Sequence, residues 1–256
     1  GIMVILSSDH AISPKEKLIS LLKSGAEIAQ NSNHLITIGV VPTRAETAYG
    51  YIELGDEFPQ HAGISFFHVK QFKEKPSPTR AQEYYLGRRH LWNSGMFVWR
   101  ADAILAAIEK FVPDIHKCID IYKDKIGKSD EGAARSKLYN DCANISIDFA
   151  VLEKAPNVLT TRGEIKWDDV GSWLAIGRIH DGDNHNNVIL GDTLLEGSYE
   201  NIVVNNADGV IVGLGVSDLV IVRTGEIVMV AHKTRVGEIK ELLAKMSGNE
   251  KYEKYL

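Results

Sequence analysis

Cysteine is nearly absent: the chain carries only Cys118 and Cys142, with no CxxC spacing. That excludes a disulfide framework and a cysteine-based zinc site, and it fits a reducing, cytoplasmic setting. No run of Lys and Arg occurs and the net charge is mildly negative, −5, so no nucleic-acid partner is expected. No apolar run reaches membrane-spanning length and no signal-peptide pattern opens the sequence, so no membrane association is expected either. Nucleophile motifs are missing as well, with neither a GxSxG elbow nor a Ser/His/Asp order. The string Ile126-Gly-Lys-Ser129 has the end of a P-loop, but Tyr122 stands where the first glycine is required.

What is present is an ordinary globular composition, 44% apolar and 25% charged, in a chain long enough for one large domain or two smaller ones. Met3-Val-Ile-Leu6 is a buried-strand pattern with no lead-in, so the first part of its domain is expected to be missing. Ser13-Pro14-Lys15-Glu16 reads as a helix start, with a capping serine, proline in the first turn and a capping-box glutamate. Residues 35–41 are nearly all apolar, as in a strand buried on both faces. A strand over 64–75, a helix over 77–87, a strand over 92–99, mostly helix over 101–142 and a short helix over 146–154 follow. This alternation predicts an α/β sheet with helices on its faces, spanning residues 1–182. From 183 to 256 the texture changes. Short β-rich runs at 188–190, 202–204, 210–212, 219–222 and 227–231 are separated by Gly, Asn or Asp turns. They predict a small stacked β-coil, closed by a helix over 236–246. The polar string His180-Asp-Gly-Asp-Asn-His185 is the linker.

Several strings carry chemistry, each with a structural alternative. Trp167-Asp-Asp-Val-Gly-Ser-Trp173 sets adjacent carboxylates on a turn between two aromatic anchors. Mg²⁺ is commonly held by one or two carboxylates and substrate phosphates; alternatively Asp168 or Asp169 caps a helix starting near Ser172. Asp9-His10 follows the first strand, and the end of a parallel strand is where α/β sheets bind ligands; an Asx turn explains it as well. In Phe72-Lys-Glu-Lys-Pro76, Glu74 can accept from sugar hydroxyls and Lys75 can donate to a phosphate, or both are a solvated strand end. Trp92-Asn-Ser-Gly-Met-Phe-Val-Trp99 offers an amide that both donates and accepts, as vicinal hydroxyls require; a β-bulge at Gly95 is the alternative. In Ser146-Ile-Asp-Phe-Ala-Val-Leu-Glu153, Asp148 near a helix start is favourable to the dipole by itself.

Taken in order, these strings resemble the sugar-1-phosphate nucleotidyltransferases, and among them the bacterial mannose-1-phosphate guanylyltransferases. Leu6-Ser-Ser-Asp-His10 is similar to the family's strand-end Asp-His motif, with Ser7 where proline is common. Pro42-Thr-Arg-Ala-Glu-Thr-Ala-Tyr-Gly-Tyr-Ile52 is similar to its sugar-side loop, with Ala48 where glycine is usual. The blocks at 72–76, 92–98, 146–153 and 167–173 follow in the family's order, and the β-rich tail resembles its small C-terminal β-helix-like domain. The family's Gly-rich phosphate-cradling segment has no counterpart here. The resemblance therefore implies the C-terminal part of a Rossmann-like nucleotidyltransferase domain over 1–182, then a β-helix-like domain over 183–256, inactive as a lone chain. It implies transfer of GMP from GTP to mannose 1-phosphate, giving GDP-mannose and pyrophosphate. Asp9 and Asp169 would hold Mg²⁺, with Asp168 the lesser ligand, and Lys75 would neutralise the sugar phosphate, with Arg44 a second candidate. Tyr49, Gly50, Glu74, Asn93 and Ser94 would contact the sugar, with Asp148 supporting the site. Two alternatives stand beside this reading: a transferase for another sugar 1-phosphate such as glucose, and a binding or assembly module without chemistry. A homodimer through the C-terminal domain is expected.

Overall fold

The computed structural model describes residues 1–255, which divide into two compact units. The first comprises Gly1–Ser8 and Ile12–Trp167, and the second Asp9–Ala11 and the residues from Asp168 onward. No helix among the described residues is long and apolar enough to cross a membrane.

The first stretch of chain runs β1 (Ile2–Ile5), β2 (Ala11–Ser13), α1 (Lys15–Gln30), β3 (Leu35–Val40), β4 (Tyr51–His61), β5 (Ile64–Lys73), α2 (Pro78–Gly87) and β6 (His90–Arg100). It continues through α3 (Ala101–Phe111), α4 (Pro113–Lys123), α5 (Glu131–Asp141), a π-helical turn (Asp148–Leu152), β7 (Val158–Gly163) and β8 (Lys166–Asp168). Six strands form one sheet in the order β1-β6-β3-β7-β5-β4, with β4 also pairing to β6. Among the described residues β3 and β7 are its one parallel pair; the other neighbours are antiparallel. The sequence of β3, Leu-Ile-Thr-Ile-Gly-Val, is buried at every position, as its apolar run requires. Leu35 packs with Phe97, Trp99, Ile104 of α3 and Val151 of the π turn. Ile36 packs with Ile28 and Ala29 of α1. Apolar alternation on two faces thus binds helices to both sides of the sheet, and each fully buried aliphatic side chain contributes about 2 kcal/mol.

Three expectations change here. Ser13 ends β2 and Pro14 takes the cap position of α1, with no side-chain capping bond, so the expected capping box does not form. The strand before Asp9 is not parallel: β1 pairs antiparallel with β6, and Asp9 lies on an exposed turn beyond it. The long strand β4 was not expected, because Gly55, Asp56 and Pro59 interrupt its pattern. Register shifts between Glu53 and Leu54, Leu54 and Glu57, and Phe58 and His61 absorb those poor strand formers. By contrast α2 begins as its sequence dictates, with Pro78 in the first turn and the Ser77 side chain accepting from Arg80 N–H.

In the second unit, a 3₁₀ turn (Trp173–Ala175) and α6 (Ile176–Ile179) precede six strands: β9 (Val188–Leu190), β10 (Thr193–Glu196), β11 (Ile202–Asn206), β12 (Ile211–Leu214), β13 (Leu219–Thr224) and β14 (Ile227–His232). Strands β9, β11 and β13 stack in parallel, as do β10 and β12, and β14 closes the stack antiparallel to β13. This is the expected β-coil. Its closing segment splits into a 3₁₀ turn (Lys233–Glu238) and α7 (Ile239–Ser247). Ile202, Val220, Val222 and Val236 fill its core, with Trp173, Ile176 and Ile239 against them.

A ladder of buried asparagines ties the rungs together. Asn187 Nδ2 donates to Ser198 O at 2.9 Å, and its Oδ1 accepts from Asn201 N and Nδ2 at 3.0 and 2.9 Å. Asn201 Nδ2 also donates to Val216 O, and its Oδ1 accepts from Leu219 N at 3.0 Å. Asp183, from the polar linker, accepts from the N–H groups of His185 and Asn187 and starts the stack. Each amide satisfies backbone groups of the next turn of the coil. Asn201→Ala deletes these side-chain bonds and orphans Leu219 N–H. It is expected to destabilise the coil by about 2–3 kcal/mol, read as a lowered urea midpoint for the coil.

Candidate functional site

In the first unit, four of the expected residues meet. Asn93, on β6, donates its backbone N–H to Gly50 O at 2.8 Å, and its Nδ2 donates to Asp148 Oδ1 at 2.8 Å. Its Oδ1 accepts from Thr37 Oγ1 and from Gly95 N, each at 3.4 Å. Gly50 lies against Glu74: a Cβ there would stand 2.7 Å from Glu74 Oε2 and 3.5 Å from Asn93 Cβ. Any side chain at 50 would fill this cradle. Glu74 and Lys75 occupy the turn after β5, with Lys75 in left-handed backbone at φ 40° and its Nζ 3.8 Å from Glu74 Oε1. One carboxylate on bare backbone, a second gripping an amide, and an amide aimed by both strand and helix form an array that accepts and donates hydrogen bonds at once. That is the requirement for vicinal hydroxyls.

The sequence reading did not single out Glu153, an exposed residue whose backbone N–H donates to Asp148 O at 2.9 Å. Burial, then the Asp148 and Glu74 carboxylates, push its carboxyl above the ordinary range, with Lys154 opposing. A spacing of five from Asp148 reads as opposite faces of an α-helix, so the pattern gave no signal.

Two expected sugar contacts are placed differently. Ser94 is buried and turned inward: its Oγ donates to Ile38 O at 2.5 Å and accepts from Met96 N at 3.2 Å. The β3–β6 register shifts between Thr37 and Gly39, and Gly95 stands at φ 68°, so the bulge is real and Ser94 braces it. Tyr49 is buried too, its ring edge-on to Trp92 at 5.2 Å and to Trp167 at 4.9 Å. Arg44 stacks over Trp92 at 4.9 Å and its Nε donates to Glu46 at 3.1 Å.

The second unit holds Asp9, Asp168 and Asp169. Asp168 is 5% exposed and accepts from Val170 N at 3.0 Å and from Arg178 Nη2 at 2.9 Å. It is therefore an anchor, compensated in place by a guanidinium. Asp169, half-buried, accepts on Oδ1 from Gly171 N at 3.0 Å. Between them and the glycine, Val170 adopts φ 52°, a costly conformation for a β-branched residue. Ser172 takes the cap position of the following 3₁₀ turn, so neither aspartate caps it. Val170, Trp173, Ile176, Val236 and Ile239 line an apolar cavity of about 450 Å³. Among the described residues no group of three or more His, Cys, Asp or Glu could hold a metal by itself. Asp9 and Asp169 supply only hard oxygens, the donor set that suits an Mg²⁺ ion completed by phosphates and water, so the residues present fit that ion.

Comparison with known proteins accords with this geometry. The nucleotidyl transferase family matches residues 1–186, and a MannoseP isomerase/GMP-like beta-helix domain matches residues 198–246. The chain is 32% identical, over 98% of its length, to a mannose-1-phosphate guanylyltransferase of Klebsiella pneumoniae, of which it covers 53%. It is 33% identical, over its full length, to the mannose-1-phosphate guanylyltransferase ManC of Salmonella typhimurium, again covering 53%. The crystal structure of a mannose-1-phosphate geranyltransferase from Thermus thermophilus matches at a TM-score of 0.83 and 32% identity, over 96% of this chain and 70% of that one. The chain thus spans about half the length of the curated relatives it matches. A nucleotidyltransferase domain followed by a β-helix-like domain is the resulting architecture, and the chain belongs to the nucleotidyl transferase family.

Proposed function

We propose that this chain serves the transfer of GMP from GTP to mannose 1-phosphate, giving GDP-mannose and pyrophosphate, and that it supplies the sugar-phosphate side of that reaction. The observation that carries the reading is the Gly50–Glu74–Asn93–Asp148 cluster. The names of the relatives support mannose 1-phosphate as the ligand. Glu74 and Asn93 bind sugar hydroxyls, Asp148 holds the Asn93 amide in orientation, and Lys75 neutralises the sugar phosphate. Tyr49 and Ser94 act beneath this surface, as packing and as a strand brace. In the second unit, Asp9 and Asp169 hold the metal.

The chemistry asks little of a base. A phosphate monoester has a second pKa of about 6 and is largely dianionic at neutral pH, so its oxygen attacks the α-phosphorus in line without losing a proton first. The barrier is repulsion between anions, and catalysis rests on positioning and charge neutralisation. Nucleotidyl transferases typically use a divalent metal; bound here, Mg²⁺ supplies that neutralisation. The setting this implies is cytoplasmic, where both thiols stay reduced. The reading includes pairing of two copies through the β-coil, where Leu194, Val212 and Leu214 stand exposed on neighbouring strands.

Pyrophosphate release from GTP and mannose 1-phosphate with Mg²⁺ tests the reaction. In a protein that carries this chain together with a nucleotide-binding segment, Asp169→Asn is expected to lower it about 10²–10³-fold with an unchanged melting temperature, and near-normal turnover in that variant overturns the metal assignment. Arg178→Ala should do the reverse to the fold, lowering stability by about 2–3 kcal/mol because Asp168 is left buried without its guanidinium. Calorimetric titration checks the sugar pocket: Glu74→Ala should cut the preference for mannose over glucose 1-phosphate about tenfold, and an unchanged preference removes Glu74 from hydroxyl recognition.

A further inference from the structure

The helix that carries Asp148 does not stay α-helical. Ala150 N donates to Ser146 O at 2.9 Å, a four-residue step, but Glu153 N donates to Asp148 O, also at 2.9 Å, a five-residue step. In an α-helix a residue five positions on lies about 140° round the axis. The wider turn brings it back over the first. Such turns are rare and recur at functional sites. This one is pinned: Ala150, Val151 and Leu152 are all buried in the main core, so it cannot tighten without withdrawing three packed side chains.

We propose that Glu153 is a further sugar-binding residue of this pocket, set beside Asp148 and facing Glu74 by the π turn, where it reads a ring hydroxyl. The proposal rests on the sugar-phosphate reading above. The Gly50 backbone lies against Glu74 and Asn93 of the same pocket. Without a ligand the three carboxyls repel one another, and Glu153 keeps its proton to a higher pH than an ordinary glutamate. Among the described residues they do not form a group suited to a metal. What relieves the repulsion is a hydrogen-bond donor, and sugar hydroxyls are donors that also accept. Glu153 thus offers a donor while protonated and an acceptor once ionised, a second hydroxyl contact next to the one Glu74 provides.

Calorimetric titration with mannose 1-phosphate and with glucose 1-phosphate, on the wild-type chain, Glu153→Ala, Glu153→Gln and Glu74→Ala, tests this. Glu153→Ala should weaken mannose 1-phosphate binding about tenfold, and Glu153→Gln by less than about threefold, since the amide keeps a donor and an acceptor. Glu153→Ala binding within about twofold of wild type, with Glu74→Ala impaired, overturns the role of Glu153 alone. A wild-type chain that binds neither sugar phosphate overturns the parent reading, and this proposal with it. Thermal melts of wild type and Glu153→Gln read the cluster without ligand. A carboxyl with a raised pKa contributes stability below its ordinary value and loses it as pH rises through the raised one. The melting temperature of Glu153→Gln should therefore gain on wild type as pH rises above the ordinary glutamate value; a constant difference means that Glu153 does not face the other two carboxyls.

Discussion

The backbone contact at Gly39 is the constraint on which the first unit depends. A Cβ there would stand 2.5 Å from Leu91 Cδ1, 2.6 Å from Thr160 Oγ1 and 2.9 Å from Thr161 O. Across the parallel pair, a Cβ on Gly163 would stand 2.7 Å from Gly39 O. The three central strands can approach this closely only because neither residue has a side chain. Gly39 is also the point where the β3–β6 register resumes after its shift, opposite Asn93. The bulge at Gly95 and the inward bond of Ser94 to Ile38 O take up the extra length. Asn93 is thereby delivered at the rim of the sheet with its N–H on Gly50 O and its amide on Asp148. A side chain at 39 would push β6 away and move the one amide in the cluster, although its own nearest contacts would be Leu91, Thr160 and Thr161.

In each unit the functional side chains sit beside points where the backbone departs from its easy conformations. Lys75 and Val170 are both left-handed, and Asp148 opens a π turn. Such departures cost of order 1–3 kcal/mol each and persist only where the surroundings over-determine them. Here the surroundings are visible. Phe72 anchors the strand before Lys75 in the core, Asp168 and Arg178 clamp the turn before Val170, and Ala150 to Leu152 hold the π turn. Lys75, Val170 and the π turn are each strained locally and held by apolar burial or a part-buried ion pair close by in the chain.

This pattern explains what could be read from the sequence. The strand β3 and the helix α2 were legible because burial, propensity and capping all agree there. The β-coil was legible from turn residues at regular spacing, although β10 escaped for being short and half exposed. The strand β4 escaped because local propensity disagrees with its pairing, and bulges settle the conflict. At the site, Glu74 and Asn93 stood out as polar residues at strand ends, where a strand pattern gives no reason for them. Tyr49 and Ser94 have the same polar character in sequence, and only the fold reveals that both face inward. Glu153 was hidden by the assumption of a 3.6-residue period, which a single five-residue hydrogen bond breaks.

One side-chain type, the carboxylate, does different work at each of these positions, and its neighbours decide which. Asp168 and Asp169 are adjacent in sequence. The first is buried on a guanidinium and is committed to structure. The second accepts a glycine N–H at 3.0 Å and stays half-exposed, which suits a hard cation. Asp148 is committed to an amide donor and serves to aim it. Glu153 follows Asp148 across the π turn and, through burial and the Asp148 and Glu74 charges, holds its proton more tightly than an isolated glutamate. A guanidinium, a backbone N–H, an amide and a second acid draw four behaviours from one functional group. Assigning these roles requires the partner of each oxygen, which a motif does not contain and the backbone geometry at Gly39, Val170 and the π turn supplies.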